Sequence, residues 1–154
     1  MVPPSLEYYR ERAYQILESR EHSVYELRQK LLRRGCPSDT ADIITEQLQG
    51  DGLLDDARFG LMFVRSKLSQ DWSIKRVSFE LQKKHHIAGE TFDLVMEAYA
   101  QECPDDFDAG DDCRAERIVG RRWRSSKDTE KIFRYLVNRG FSISCARKAL
   151  QSRS

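Results

Sequence analysis

The sequence predicts an all-α protein of three tandem three-helix repeats, helix-turn-helix-like in arrangement, forming an elongated, curved array. Three observations predict it. One capped, leucine-bearing pattern occurs three times along the 154 residues. Gly (eight) and Pro (four) are scarce and β-branched residues are not clustered, which disfavours sheets. Apolar residues make up 40% of the chain and charged residues 33%, the balance of helices with one buried face and a wide solvated one.

The recurring element reads SVYELRQKLLRRG over Ser23–Gly35, SIKRVSFELQKKH over Ser73–His85 and DTEKIFRYLVNRG over Asp128–Gly140, at offsets of 50 and 55 residues. Each copy opens with an N-cap residue (Ser23, Ser73, Asp128) whose side-chain oxygen can accept from an otherwise orphaned helix N–H. Ser23 with Glu26 reads as the S-x-x-E capping box. An apolar residue follows four positions on (Leu27, Val77, Ile132) and a Leu four after that (Leu31, Leu81, Leu136), all on one helix face. A cation then precedes a terminator position, where Gly35 and Gly140 can adopt the left-handed conformation that ends a helix. His85 occupies that position in the second copy, which predicts a distorted end or a non-Gly residue at positive φ.

Each central helix has a helix before and after it. Preceding helices are predicted over Tyr8–Arg20 (Tyr9, Ala13, Ile16 and Leu17 inward), Asp56–Leu68 (Phe59, Met62, Phe63) and Asp112–Arg124 (Ala115, Ile118, Val119, Trp123). Following helices start near Ser38, Gly89 and Ser142. The units are therefore residues 1–50, 51–101 and 112–154. Each is marginal alone and is expected to pack on its neighbour. Leu53 and Leu54 in the first joint are expected to tuck into the first unit. Residues 102–111 are acidic, hold Pro104 and Gly110, and read as a mobile linker that hinges the third unit.

The net charge of +1 hides an asymmetry. Residues 111–154 carry twelve Arg or Lys against five acids, whereas the four acids of 102–110 face no cation there. A basic terminal unit favours a polyanion or an acidic protein surface. No apolar run is long enough to span a bilayer, and no signal-peptide pattern follows Met1, so a cytoplasmic protein without membrane attachment is expected. The four cysteines (Cys36, Cys103, Cys113, Cys145) form no C-x-x-C pair and the three histidines supply no matching ligand spacing. Reduced thiols and no metal are expected. Asp55 and Asp56 lack a further acid or a phosphate-cradling Gly loop, so they read as a helix N-cap and a dipole-favoured acid. No nucleophile–base constellation can be assembled, and neither an enzyme nor a cofactor is expected.

These residues resemble a known family. S-x-x-E-L-x-x-K-L-x-x-R-G (Ser23–Gly35), G-L-L-D-D-A-R-F (Gly52–Phe59) and R-V-x-x-E-L (Arg76–Leu81) are similar to the RecX regulators of RecA. The resemblance covers about Arg12 to Leu150 and is densest up to Leu81. It departs at His85, where Gly is usual, at Phe79, where a polar residue is common, and in the Asp-rich linker. It implies three tandem three-helix repeats, binding along the groove of the RecA filament on single-stranded DNA, and inhibition or milder modulation of RecA ATPase, strand exchange and filament persistence.

The candidate RecA- and DNA-binding residues are the cations of the second and third units: Lys75, Arg76, Lys83 and Lys84, then Arg121, Arg122, Arg124, Lys127, Lys131, Arg134 and Arg139. Equivalent helices of stacked repeats can align such charges into one surface, with a salt-dependent contact if DNA is the partner. Phe79 is expected to pack between units, Trp72 to act as a hydrophobic staple and Trp123 to join the core. His85 and His86 read as the basic end of their helix. Two other classes remain open: a sequence-specific helix-turn-helix transcription regulator, and an interaction scaffold without nucleic-acid contact. The predicted third helices carry no Arg, Lys or Asn at Ile43–Glu46 or Leu94–Glu97, which suits base reading poorly. A monomer is expected because the repeats use up the apolar stripes.

Overall fold

Ser23 and Ser73 cap as their positions predict: each side chain accepts a backbone N–H three residues on, from Glu26 at 3.1 Å and from Arg76 at 3.0 Å. The computed structural model describes residues 4–153, without the side chains of Asp108 and Ala109. Met1–Pro3 and Ser154, at the ends of the first and third predicted units, lie outside the described residues, as does the charge of Asp108. Among the described residues there is no strand.

Nine α-helices are formed among the described residues: α1 (Leu6–Ser19), α2 (Val24–Arg33), α3 (Ser38–Gly50), α4 (Asp56–Ser69), α5 (Ile74–Lys83), α6 (Gly89–Glu102), α7 (Pro104–Arg122), α8 (Thr129–Asn138) and α9 (Ile143–Gln151). Three apolar clusters sit inside them. Leu27 and Leu31 of α2 pack with Tyr9, Ala13 and Ile16 of α1 and Ala41, Ile44 and Leu48 of α3. Val77 and Leu81 of α5 pack with Phe59 of α4 and Val95 and Tyr99 of α6. Ile132 and Leu136 of α8 pack with Ala115, Ile118 and Val119 of α7 and Ala146 and Leu150 of α9. In each case the i, i+4 pair of the central helix is buried, the seam its spacing predicts.

The central helices end alike. Cys36 N–H returns to Leu31 O at 3.1 Å and Phe141 N–H to Leu136 O at 3.1 Å, closing the turn through left-handed Gly35 (φ 89°) and Gly140 (φ 95°). In the second copy Ile87 N–H returns to Leu81 O at 3.0 Å, one residue further along. The positive φ therefore falls on His86 (55°) rather than on His85, the predicted position. His85 is the inserted residue of a longer turn. The three returning residues, Cys36, Ile87 and Phe141, are all buried.

Several expectations are corrected. Asp128 does not cap α8 with its side chain. Its carboxylate accepts from Arg124 N (2.8 Å) and Ser125 N (3.1 Å), closing a capping box around the 3₁₀ turn Ser126–Asp128 that leads into α8. The Glu26 half of the first capping box is not made, because Arg20 holds that carboxylate. Leu54 tucks into the first core but Leu53 is exposed, and Met62 is exposed where a core position was expected. Phe79 is 58% exposed and packs between no units. Trp72 and Trp123 are half-buried against the second and third clusters.

The predicted linker differs most. From Pro104 the chain is helical, with one break at Gly110 (φ 72°), a conformation that favours glycine. Asp106 ties this segment to both sides: it accepts from Tyr99 Oη (2.6 Å) on α6 and from Arg114 Nη1 (2.6 Å) beyond the break. Arg114 also donates to Leu68 O (2.8 Å) and Trp72 O (3.0 Å). Pro at the first helical position and the acids behind it, read as linker composition, are also a helix start.

Candidate interaction surface

The units join through their central helices. At the first joint the Ser23 hydroxyl meets His85 Nδ1 at 3.4 Å, and Tyr25 stacks on His86 with ring centroids 3.7 Å apart. At the second joint Ser73 N–H donates to Arg139 O at 2.9 Å, and Arg76 donates to Asn138 O. The C-terminal end of each later central helix thus abuts the N-terminal end of the one before it: α8 against α5, α5 against α2. Facing a carbonyl end to an amide end satisfies orphaned groups of both and sets opposite ends of the helix dipoles together.

A second contact recurs at both joints. Asp56, at the start of α4, accepts from Val24 N at 2.8 Å; Asp111, just past the break in α7, accepts from Ile74 N at 2.7 Å and Lys75 N at 3.2 Å. The start of each following unit therefore caps the central helix of the unit before it. Asp55 is the N-cap of α4, bound by Ala57 N and Arg58 N, as its position predicts. Burial pushes the Asp56 carboxyl above the usual range, against the Val24 hydrogen bond, and the neighbouring Asp55 charge adds to the rise.

His85 and His86 do not simply extend the basic end of α5. His85 lies 4.9 Å from the Phe59 ring and 5.0 Å from the Phe63 ring, and burial lowers its pKa. His22 is fully buried at the same joint, with Nδ1 2.9 Å from Arg20 O and Nε2 2.6 Å from Lys30 Nζ. A lysine can only donate, so Nε2 accepts and Nδ1 carries the proton. Burial, with the Arg20 and Lys30 charges, keeps this imidazole neutral against the pull of the Arg20 carbonyl and Glu26.

The predicted cations fall into two groups. Arg76, Arg121, Arg122 and Arg139 converge on the second joint. The Arg122 and Arg139 guanidiniums lie 3.5 and 4.8 Å from the Tyr135 ring centroid, and Tyr135 Oη donates to Asp71 at 2.7 Å. Arg121 pairs with the same Asp71, and Arg76 lies over Trp72 at 4.1 Å. Arg76 and Arg121 reach across the joint themselves, to Asn138 O and Asp71, while Arg122 and Arg139 hold the Tyr135 ring whose hydroxyl crosses it; ring contacts of this kind are worth ~0.5–2 kcal/mol each. The others are solvent-facing. Lys84 pairs with Glu80 and Arg134 with the exposed Glu130, while Lys75, Lys83, Arg124, Lys127 and Lys131 make no side-chain hydrogen bond or ion pair among the described residues. Sequence reasoning missed Arg65, Arg114 and Arg117, which gather near Asp71 between α4 and α7; their partners lie 8 to 46 residues away, beyond any local motif.

Among the described residues no group of three or more His, Cys, Asp or Glu could hold a metal ion, and no helix is long and apolar enough to cross a membrane. The cysteines are free; burial, with Asp112 and Asp111 nearby, pushes the Cys145 thiol up to about 12.

End-to-start central helices, the first two clamped by the unit that follows, define a helical-repeat protein. Comparison with known proteins places it further. The family model of the RecX first three-helix domain matches residues 10–48. The chain is 32% identical to the regulatory protein RecX of Vibrio vulnificus over 139 residues, 90% of this chain and 88% of the relative. It is 32% identical to that of Chromohalobacter salexigens over 142 residues, covering 92% and 90%. The crystal structure of RecX from Lactobacillus salivarius shares the fold, with a TM-score of 0.63 at 19% identity over 96% of this chain and 95% of that one. The chain belongs to the RecX family of regulatory proteins.

Proposed function

We propose that this protein is a non-enzymatic regulator of the RecA recombinase, acting in the cytoplasm as a monomer. It binds along the RecA filament groove, with contact to single-stranded DNA, and lowers RecA ATPase, strand exchange and filament persistence. The observation that carries this reading is the 32% identity, over nine-tenths of the chain, to proteins named as RecX regulators. The end-to-start contact of α8 with α5 supports it, because it brings cation-bearing helices of two units together at the second joint. Lys75, Lys83, Lys84, Arg124, Lys127, Lys131 and Arg134 are the contact residues; Arg76, Arg121, Arg122 and Arg139 support them by fixing the joint. A ligand shifts a filament only through differential affinity for its states, so a fall in turnover requires that the protein bind a filament state that hydrolyses ATP poorly more tightly than the active one.

The test is the single-stranded-DNA-dependent ATPase of RecA with and without this protein. A concentration-dependent fall in rate is expected. Unchanged turnover at molar excess, together with no co-sedimentation with filaments, rejects the reading. A footprint at a defined duplex operator would instead favour a transcription regulator, which the exposed Ile43 on α3 and Leu94 on α6 suit poorly.

A further inference from the structure

We propose that the cleft between α4, α6 and α7 is a binding site for a phosphate-bearing anion. The cleft has a volume of about 610 Å³ and is lined by four arginines, Arg65 from α4 and Arg114, Arg117 and Arg121 from α7, against two carboxylates, Asp71 and Asp106. The observation that points to a ligand is Arg114. This residue is 6% exposed, and its Nε is the one buried side-chain nitrogen or oxygen with no hydrogen-bond partner among the described residues. An arginine cannot neutralise itself by losing its proton, so Arg114, its Nε covered by protein, stands in the cleft wall as a fixed positive charge.

The remaining donors suit an anion with several oxygens. Arg114 spends Nη1 on Asp106 and Nη2 on the Leu68 and Trp72 carbonyls, which fixes its plane in the cleft wall. Arg117 engages one nitrogen, on Asp106, and Arg121 engages one, on Asp71. Both side chains are more than half exposed and keep further N–H groups for a ligand. Arg65 is held by Glu102 through Nε and Nη2, with Nη1 left. Guanidiniums from two helices converging on one cleft match a tetrahedral phosphate, whose oxygens can accept from several planar forks at once. The same set repels a metal cation. The chemistry is shared by a free phosphate and a phosphodiester of single-stranded nucleic acid. The assignment does not rest on the filament reading, and its test contains no RecA.

The test is an NMR titration of the full chain, reading the arginine Nε–H resonances, first with inorganic phosphate and then with a short oligodeoxynucleotide lacking terminal phosphate. Chloride holds the ionic strength constant. Phosphate is expected to shift the Arg114, Arg117 and Arg121 signals saturably, and Arg117→Gln to weaken binding about tenfold, the worth of one charge-assisted hydrogen bond. Backbone amide spectra confirm that the variant, altered at an exposed side chain, is folded. If the oligonucleotide moves the same signals at lower concentration, the natural ligand is the nucleic-acid backbone; if only inorganic phosphate does, it is a free phosphate. Either supports the site. No saturable shift with either probe, or equal affinity in Arg117→Gln, overturns it.

Discussion

Asp56, the first residue of α4, accepts the backbone N–H of Val24, the first residue of α2, at 2.8 Å. A residue of the second unit therefore completes a helix of the first, and Asp111 repeats the arrangement on Ile74 for the second and third units. Asp56→Ala is expected to lower stability by about 1 kcal/mol, the scale of a lost helix cap. Asp56→Asn retains an acceptor and removes a carboxylate that burial disfavours, so it should lose less. Urea unfolding of the two variants checks the order; Asn as damaging as Ala would contradict it.

The first joint should be sensitive to mild acid. His22 and His85 are both held neutral, with pKa values lowered chiefly by burial. The unfolded chain then binds more protons than the folded one once pH falls below the ordinary histidine value of about 6.5. Stability present above that pH is lost as pH drops toward the lowered folded values. Glu26 acts lower down: burial opposes its ionisation, but Arg20 holds it below the usual carboxylate range, so its contribution disappears only as pH falls through that range. The urea midpoint should fall between about pH 7.5 and 5.5, and His22→Gln with His85→Gln should flatten that slope. A wild-type midpoint independent of pH over this window would sink the prediction.

Gly140 and Gly35 separate backbone strain from crowding. Both have positive φ, so alanine at either costs about 1–2 kcal/mol from the left-handed conformation alone. A Cβ on Gly35 meets only Tyr9 Oη at 3.7 Å, whereas one on Gly140 would lie 2.8 Å from Ser73 Oγ and overlap the Arg76 side chain. Gly140→Ala is therefore expected to cost clearly more than Gly35→Ala and to loosen the second joint. Hydrogen exchange at Ser73 N–H, which bonds to Arg139 O, gives the local readout.

Two kinds of cation should behave differently on mutation. Arg76→Ala removes a hydrogen bond to Asn138 O and a stack on Trp72, and should lower stability by about 1–2 kcal/mol. Lys127→Glu with Lys131→Glu touches no such contact and should leave the unfolding midpoint nearly unchanged while weakening filament or DNA binding and reducing its salt dependence. Binding untouched by the lysine pair would remove those residues from the proposed surface.

Much of the fold was legible because its signals are local. Leu27 and Leu31 lie one turn apart, Ser23 reaches only to Glu26, and Gly35 ends its own helix; each is readable within a dozen residues. The candidate site was legible only as charge. Trp72 and Tyr135 lie only four residues before Arg76 and Arg139, but nothing local indicates that Arg76 braces a joint while Lys83 and Lys131 face solvent, since Asn138 O reaches Arg76 only on folding. The Asp-rich segment misled for a related reason. Its composition suits a linker, but Tyr99 and Arg114 turn Asp106 into an anchor.

By itself the sequence determined the helices outside the acidic segment, the caps at Ser23, Ser73 and Asp55, the threefold repetition of a buried leucine seam and the basic character of the third unit. The tertiary structure alone decided how the units are joined, through Asp56 on Val24, Asp111 on Ile74 and Arg139 on Ser73, and which arginines gather at the α4–α7 cleft. The reason is range. Helix propensity and capping act over a few residues, whereas a carboxylate that caps a helix more than thirty positions away is recognisable only once packing has brought the two together.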